Sequence, residues 1–452
     1  MDNPIVIKGA SVVDPTKETI TKAHIIVKDG TISGIKKGSP EPLPEYARII
    51  DATNLTVSPG FIDLHTHLRE PGFEDKETIA SGTSAGIAGG FTTLCAMPNT
   101  YPATDSAAVV EFVLQQAKRA GNSRVYPIGC VTKGRQGTEL AELRELFESG
   151  VVAFSDDGIP IWDSHIMQMA LLYSRDFGIP ITDHCEDLNL NKGWVMHEGW
   201  VSTRLGLSGY PSSGEESMVA RNIALAELTG GRLHLAHLST AGSVELVRLA
   251  KSRGLRVTAE VTPHHLTMSE EWVLGVEESD YNKPLTKTAY DSLAKVNPPL
   301  RTKNDSQALL LGLEDGTIDA IATDHAPHCE TDKEVTMQDA AVGFTVLETA
   351  FASLMSLVDA GKLKLETVVN RLTVGPASVL GEKLQDLASL NPGTPADLVI
   401  FDTNEKWVVD ASDFNSKGRN TPLQGKTVKG RIKLVMVQGR IVYDTITSAE
   451  NI

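Results

Sequence analysis

The run His65-Thr66-His67-Leu68-Arg69-Glu70-Pro71 follows an apolar, strand-like stretch over residues 57–64. In a strand, residues i and i+2 point to the same side. His65 and His67 therefore aim two imidazoles at one point, with Arg69 following them. A His-x-His pair alone is a weak signal, because surface strands carry such pairs by chance. Here Asp156-Asp157, His184, His237 and Asp324 also stand at the ends of strand-like runs. Neutral imidazole and carboxylate are the ligands that zinc and similar divalent ions take in open catalytic sites. Alternation places Asp156 and Asp157 on opposite faces, so only one points inward, and periodicity does not choose between them.

Such a constellation needs a scaffold that gathers many strand ends. The stretches 57–64, 92–96, 124–129, 151–155, 180–183, 232–236, 256–261 and 320–323 read as strands. Helix-like stretches at 107–120, 139–148, 165–176, 216–228 and 243–253 lie between them. This alternation implies parallel strands. Repeated over these stretches, it predicts an α/β fold, a closed (β/α)8 TIM-type barrel with its site at the C-terminal strand ends. The histidines and aspartates fall at those ends. Both flanks read instead as short strands separated by turn residues, from residue 5 to 51 and from 396 to 443. The expected division is a barrel domain over 57–388 and a small β-sandwich domain formed by both chain termini, 1–56 and 389–452.

The chain has 452 residues, 41% hydrophobic and 22% charged, as in globular proteins with a large core. A net charge of −16 argues against nucleic acid or an anionic membrane as the main partner. An anionic substrate then needs a local positive site. The four cysteines form no C-x-x-C pair, which predicts reduced thiols and a cytoplasmic protein. No signal peptide or membrane span is read from the sequence. The long loop 267–296 carries Glu270-Glu271 and Glu277-Glu278, whose charges are expected to face solvent. Neighbours of the site residues receive structural readings. His264-His265 are at most indirect supports, His234 faces the helices, Glu186-Asp187 cap or solvate a loop, and Cys185 and Cys329 are buried inert thiols.

Four motifs together carry a resemblance: His65-Thr66-His67-Leu68-Arg69-Glu70-Pro71-Gly72, Met97-Pro98-Asn99-Thr100, Asn297-Pro298-Pro299-Leu300-Arg301 and Ala322-Thr323-Asp324-His325-Ala326-Pro327-His328. With Pro395-Ala396-Asp397-Leu398-Val399, the sequence resembles the larger bacterial type of dihydroorotase, within the metal-dependent amidohydrolase superfamily. The resemblance implies up to two zinc ions. His65, His67 and Asp324 would hold one, His184 and His237 the other, and Asp157 would be shared, in place of the carboxylated lysine of many relatives. It further implies that L-dihydroorotate and N-carbamoyl-L-aspartate are interconverted, with Asp324 as proton shuttle for an attacking zinc-bound hydroxide. Arg69 would bind the substrate carboxylate with Asn99 and His328. Asn297 would face the ring, and His67, Val342 and Gly343 would complete the pocket. Where relatives show Phe-Gly, this chain has Val342-Gly343-Phe344. A homodimer and docking to aspartate transcarbamoylase, as in some relatives, are the partners implied. Competing readings are a hydantoinase or allantoinase, a non-catalytic paralogue, and a nucleobase deaminase. Arg69 argues against hydantoins, which carry no carboxylate.

Overall fold

The computed structural model describes residues 3–38, 46–275, 284–285 and 287–446. Glu277 and Glu278 of the acidic loop lie outside the described residues. The fold is α/β with mixed and parallel sheets.

The two ends of the chain meet in one sheet. Its strands are β1 (Ile5–Asp14), β2 (Thr19–Lys28), β3 (Thr31–Lys36), β4 (Arg48–Asp51) and β5 (Thr56–Pro59) from the N-terminal part. The middle of the chain supplies β6 (Phe61–Thr66), β7 (Phe91–Ala96), β8 (Arg124–Pro127), β9 (Ile181–Asp183), β10 (Met196–His197), β11 (Gly209–Tyr210), β12 (Leu233–Leu235), β13 (Val257–Val261) and β14 (Ala320–Ile321). The C-terminal part adds β15 (Leu398–Val408), β16 (Thr427–Val437) and β17 (Arg440–Asp444). The terminal sheet runs β17-β16-β15-β5-β1-β2-β3, with β4 also on β1. Its side chains alternate with period two. Leu398, Ile400, Leu434 and Met436 enter a core shared with Ile7 and Ile25, while Val399, Phe401 and Val435 pack on the main core.

The stretch read as one strand over 57–64 is two. β5 pairs with β1 and β15 in the terminal sheet, and β6 starts a parallel sheet with β7 and β8. Gly60 makes the passage between them. A Cβ there would lie 2.2 Å from the Thr92 side chain, so no larger residue fits without displacement.

The second parallel sheet runs β14-β13-β12-β9. The stretch 151–155 is not an assigned strand. Instead Phe154 bridges Gly129 on one side and Ile181 on the other, both in parallel sense. Ser155 N–H donates to Gly129 O, and Thr182 N–H to Phe154 O. At the far edges, Thr66 bridges His325, and His67 N–H donates to His325 O at 2.9 Å.

Helices lie between these strands near the predicted positions. Ala107–Ala120 buries Val109, Val110, Val113 and Ala117 at i, i+1, i+4 and i+8, one apolar face of a helix. Thr78 caps Ile79–Ala88, accepting from Ser81 N–H. Among the described residues no helix is long and apolar enough to cross a membrane. All four cysteines are free. Cys329 is half-buried beside Asp75, which corrects its reading as a buried thiol.

Candidate active site

Strand ends from across the middle of the chain deliver the predicted groups to one place. His65 ends the core of β6, His184 and His237 follow β9 and β12, and Asp324 follows β14. His65, His67, Asp157, His184, His237 and Asp324 are all buried. Arg69, His237 and Asp324 have positive φ, of 62°, 28° and 49°. For residues other than glycine this is a sparsely populated conformation, and it is typical of functional strand ends.

Two compact groups of ligand atoms result: His65, His67 and Asp324, and His65, Asp157 and His237, the atoms of each lying within 4.8 Å of one another. His67 Nε2 is 3.0 Å from Asp324 Oδ1, and His65 Nε2 is 3.3 Å from Asp157 Oδ1. His184 Nδ1 lies 2.9 Å from His237 Nε2 and 3.9 Å from Asp157 Oδ1. His65 Nε2 and Asp157 Oδ1 are buried and make no hydrogen bond among the described residues. Buried polar atoms are nearly always paired. Lone pairs left facing one space by imidazoles and carboxylates fit a divalent ion.

The surroundings orient these rings as metal ligands require. His65 Nδ1 lies 2.8 Å from Glu260 Oε1, leaving Nε2 for the centre. His67 Nδ1 meets Asn99 Oδ1 at 2.9 Å, and His184 Nε2 meets Glu186 Oε2 at 3.0 Å. Asp156, by contrast, accepts from the Val131 and Thr132 N–H groups and the Thr132 hydroxyl. It tethers a loop while Asp157 faces the histidines. Burial alone would raise the Asp324 and Asp157 pKa values. The neighbouring His65, among other imidazoles, outweighs it and holds both below the ordinary aspartate range.

Arg69 sits at the rim, half-buried. Its Nε donates to Pro327 O at 3.3 Å, and its Nη2 lies 3.3 Å from His328 Nε2. Burial lowers its pKa to about 10, so it stays charged at neutral pH. Glu70 does not pair with it; its carboxylate accepts from Ile79 N–H at 2.8 Å. His328 Nε2 is 2.9 Å from Val342 O, and Nδ1 is 3.4 Å from Lys76 Nζ. Burial and the Arg69 and Lys76 charges push the His328 pKa down to about 3, so the ring is neutral. Asn297 Nδ2 donates to Glu186 Oε2 at 2.9 Å. Gly343 already uses both backbone groups, its N–H on Lys295 O and its C=O for Lys333 Nζ and Asn420 Nδ2. Its φ of 133° and a Cβ position 2.6 Å from Ala326 Cβ require glycine. Val342 is partly exposed beside it.

A family model described as Dihydro-orotase-like matches residues 55–243. A protein named dihydroorotase from Anaeromyxobacter dehalogenans (strain 2CP-C) is 48% identical over 444 residues, covering 98% of this chain and 99% of that protein. Another of that name, from Syntrophus aciditrophicus (strain SB), is 45% identical over 439 residues, covering 97% and 99%. The chain belongs to the dihydroorotase family. Among solved structures, an L-hydantoinase (dihydropyrimidinase) from Arthrobacter aurescens superposes with a TM-score of 0.84 at 25% identity, covering 98% of this chain and 96% of that one. A dihydropyrimidinase from Brevibacillus agri NCHU1002 shares the fold, with a TM-score of 0.81 at 20% identity and coverage of 98% and 95%. As a dihydroorotase family member, the chain is a hydrolase acting on cyclic amides, of the metal-dependent amidohydrolase type.

Several residues around this candidate site escape a reading of the sequence. Glu186 is buried and bonded to His184, correcting its reading as a solvated loop residue; the histidine draws its pKa down to about 2 against the opposing effect of burial. His234 does not face the helices. It bonds Glu260 at 3.1 Å and so belongs to the His65 support. The strand ends at Leu235 and His237 has positive φ, so alternation does not carry from one histidine to the other. His265 is tied to Thr262 and Pro298 O. Both His264 ring nitrogens are buried without partners among the described residues. Glu270 is buried, not solvent-facing, because it packs beneath the helix Trp200–Leu205 near Gly199. Asn420, from the C-terminal part, bonds His328 N–H, Ala326 O, Gly343 O and Thr345, stitching the loops at 326–328 and 343–345 together. Only Glu186, two residues after His184, carried a local signal.

Proposed function

We propose that the chain is a zinc-dependent dihydroorotase of de novo pyrimidine biosynthesis. In this reading it interconverts N-carbamoyl-L-aspartate and L-dihydroorotate in the cytoplasm. The observation that carries the substrate assignment is the cation at the rim. Arg69 stands two residues beyond the His65–His67 pair, with the neutral His328 beside it; Lys76 lies across that ring, paired with Asp332. A guanidinium matches a carboxylate in geometry and charge. Hydantoin and dihydropyrimidine rings without a carboxylate have no use for it.

His65, His67 and Asp324 would hold one zinc, His184 and His237 a second, with Asp157 between them. Bound zinc supplies Lewis acidity, which acidifies water and polarises a carbonyl. Arg69, with Asn99 and His328, holds the substrate carboxylate. Asn297 meets the ring, and His67, Val342 and Gly343 line the pocket, Gly343 by shape because its backbone groups are engaged. Asp324 is ionised and lies against His65 and His67, so it accepts the proton of the attacking water. It then gives that proton to the ring nitrogen as the amide C–N bond breaks. Ring closure runs the same steps in reverse.

The same reading takes the middle of the chain, 57–388, as a closed (β/α)8 barrel. The bridges at Phe154 and His325 support closure, since they join the edges of the two parallel sheets. The terminal parts, 1–56 and 389–452, would form the small β-sandwich, which also takes residues 57–59 of β5. A homodimer and docking to aspartate transcarbamoylase remain part of this proposal.

The test is to incubate zinc-loaded protein with L-dihydroorotate and follow ring absorbance, with a chelated control. Metal-dependent loss of dihydroorotate is expected. Faster turnover of hydantoin or 5,6-dihydrouracil than of L-dihydroorotate would overturn the substrate assignment.

A further inference from the structure

We propose that Glu186 is a positioning residue that turns the Asn297 carboxamide oxygen toward the substrate ring and holds the His184 ring with Nδ1 toward the metal position. The inference rests on the reading of Asn297 as a ring contact. Glu186 Oε2 lies 3.0 Å from His184 Nε2 and 2.9 Å from Asn297 Nδ2. Its other oxygen accepts from Asn191 Nδ2 at 3.3 Å and Trp194 Nε1 at 3.2 Å. All four partners donate. An ionised carboxylate only accepts, so Asn297 must turn its NH2 group to Glu186. The opposite end, Asn297 Oδ1, is then shielded from solvent with no hydrogen-bond partner among the described residues.

A buried acceptor without a partner is costly and calls for a donor. The dihydroorotate ring offers N–H donors and a neutral amide cannot present two acceptors, so the orientation set by Glu186 decides whether the contact forms. The same Oε2 fixes the His184 tautomer. With the proton on Nε2, the Nδ1 lone pair faces His237 and Asp157. One oxygen thus links a metal-side ring to a substrate-side amide across 111 residues of sequence.

The contact predicts a charge exchange. In N297D two carboxylates face each other at hydrogen-bond distance. In the double variant E186Q/N297D, the amide introduced at position 186 donates to the carboxylate introduced at position 297. That carboxylate also receives the His184 Nε2 proton, because Asn297 Nδ2 is 3.2 Å from that nitrogen. An acceptor faces the ring again. The experiment measures KM and kcat for L-dihydroorotate, zinc retention against a competing chelator, and thermal melting, for wild type, N297A, E186Q, N297D and the double variant. N297A should raise KM about tenfold, the loss of one hydrogen bond to a buried partner. N297D should raise KM at least as much and lose zinc more readily. The double variant should return to within about threefold of wild type in both.

Folded N297D and double variants that are equally impaired in KM and zinc retention would overturn the role of Glu186. Should N297D fail to fold, the double variant is compared with E186Q instead: recovery supports the proposal and none overturns it. An unchanged KM in N297A would remove the ring contact and the inference with it. Wild type that binds zinc but leaves L-dihydroorotate intact would instead refute the proposed function, and zinc retention alone would then decide the His184 half.

Discussion

Replacing Arg69 by methionine keeps most of the side-chain stem and removes the guanidinium. Arg69 Nε is committed to Pro327 O and Nη2 lies against His328, and among the described residues Nη1 has no partner, so the outer edge of the fork can meet an incoming carboxylate. Two charge-assisted hydrogen bonds to that carboxylate contribute about 1.5–3 kcal/mol each. Their sum, about 3–6 kcal/mol, corresponds to roughly two to four powers of ten at 1.4 kcal/mol per decade. Arg69 is only half-buried, and solvent screening pulls the expectation toward the lower end, a loss of about 10²–10³ in kcat/KM. Most of it should fall in KM, because the carboxylate lies outside the bond being broken and binds alike in ground and transition states. The assay compares R69M and wild type on L-dihydroorotate and on 5,6-dihydrouracil, the same ring without the carboxylate. The slow turnover of the neutral ring should be unchanged. An equal loss on both substrates, or a loss under about threefold on dihydroorotate, would refute Arg69 as the carboxylate partner.

Asp324→Asn should keep the fold and lower kcat by about 10²–10⁴, the usual worth of a placed proton shuttle; near-normal turnover with zinc bound would reject that role. Asp157→Ala should lower zinc content more than Asp156→Ala, measured on dialysed protein. Asp156→Ala should instead lower the melting temperature, because the Val131 and Thr132 N–H groups lose their acceptor. Glu270 has a pKa raised from 4.5 to about 7 by burial and by the nearby Glu271 and Asp305. Between those values the folded state binds more protons than the unfolded state, so its contribution to stability falls as pH rises from about 4.5 to about 7. Glu270→Gln should therefore raise the melting temperature at pH ~8 and flatten its pH dependence over that window; an unchanged profile would reject the shift.

Local pattern alone carried much of this protein. The spacing of His65 and His67 put two imidazoles on one face. Apolar periodicity marked Ala107–Ala120, because a helix face repeats within a few residues of itself. The residue types at strand ends, imidazole and carboxylate, already named the chemistry. Tertiary structure decided what periodicity left open. Asp156 and Asp157 are equivalent by alternation, and the choice came from two N–H groups on the loop at Val131 and Thr132, which capture Asp156. The run 57–64 is continuous in sequence, yet it passes from one sheet to another at Gly60, where Thr92 leaves no space for a larger side chain. Glu260 lies 195 residues from His65, and Asn420 reaches back 92 residues to His328. A hydrogen bond depends on positions in space to within a few tenths of an ångström, and sequence pattern extends only over the few residues of one turn or strand. Which groups could gather at one centre was therefore local information, and which partners hold them was decided only when the strands came together.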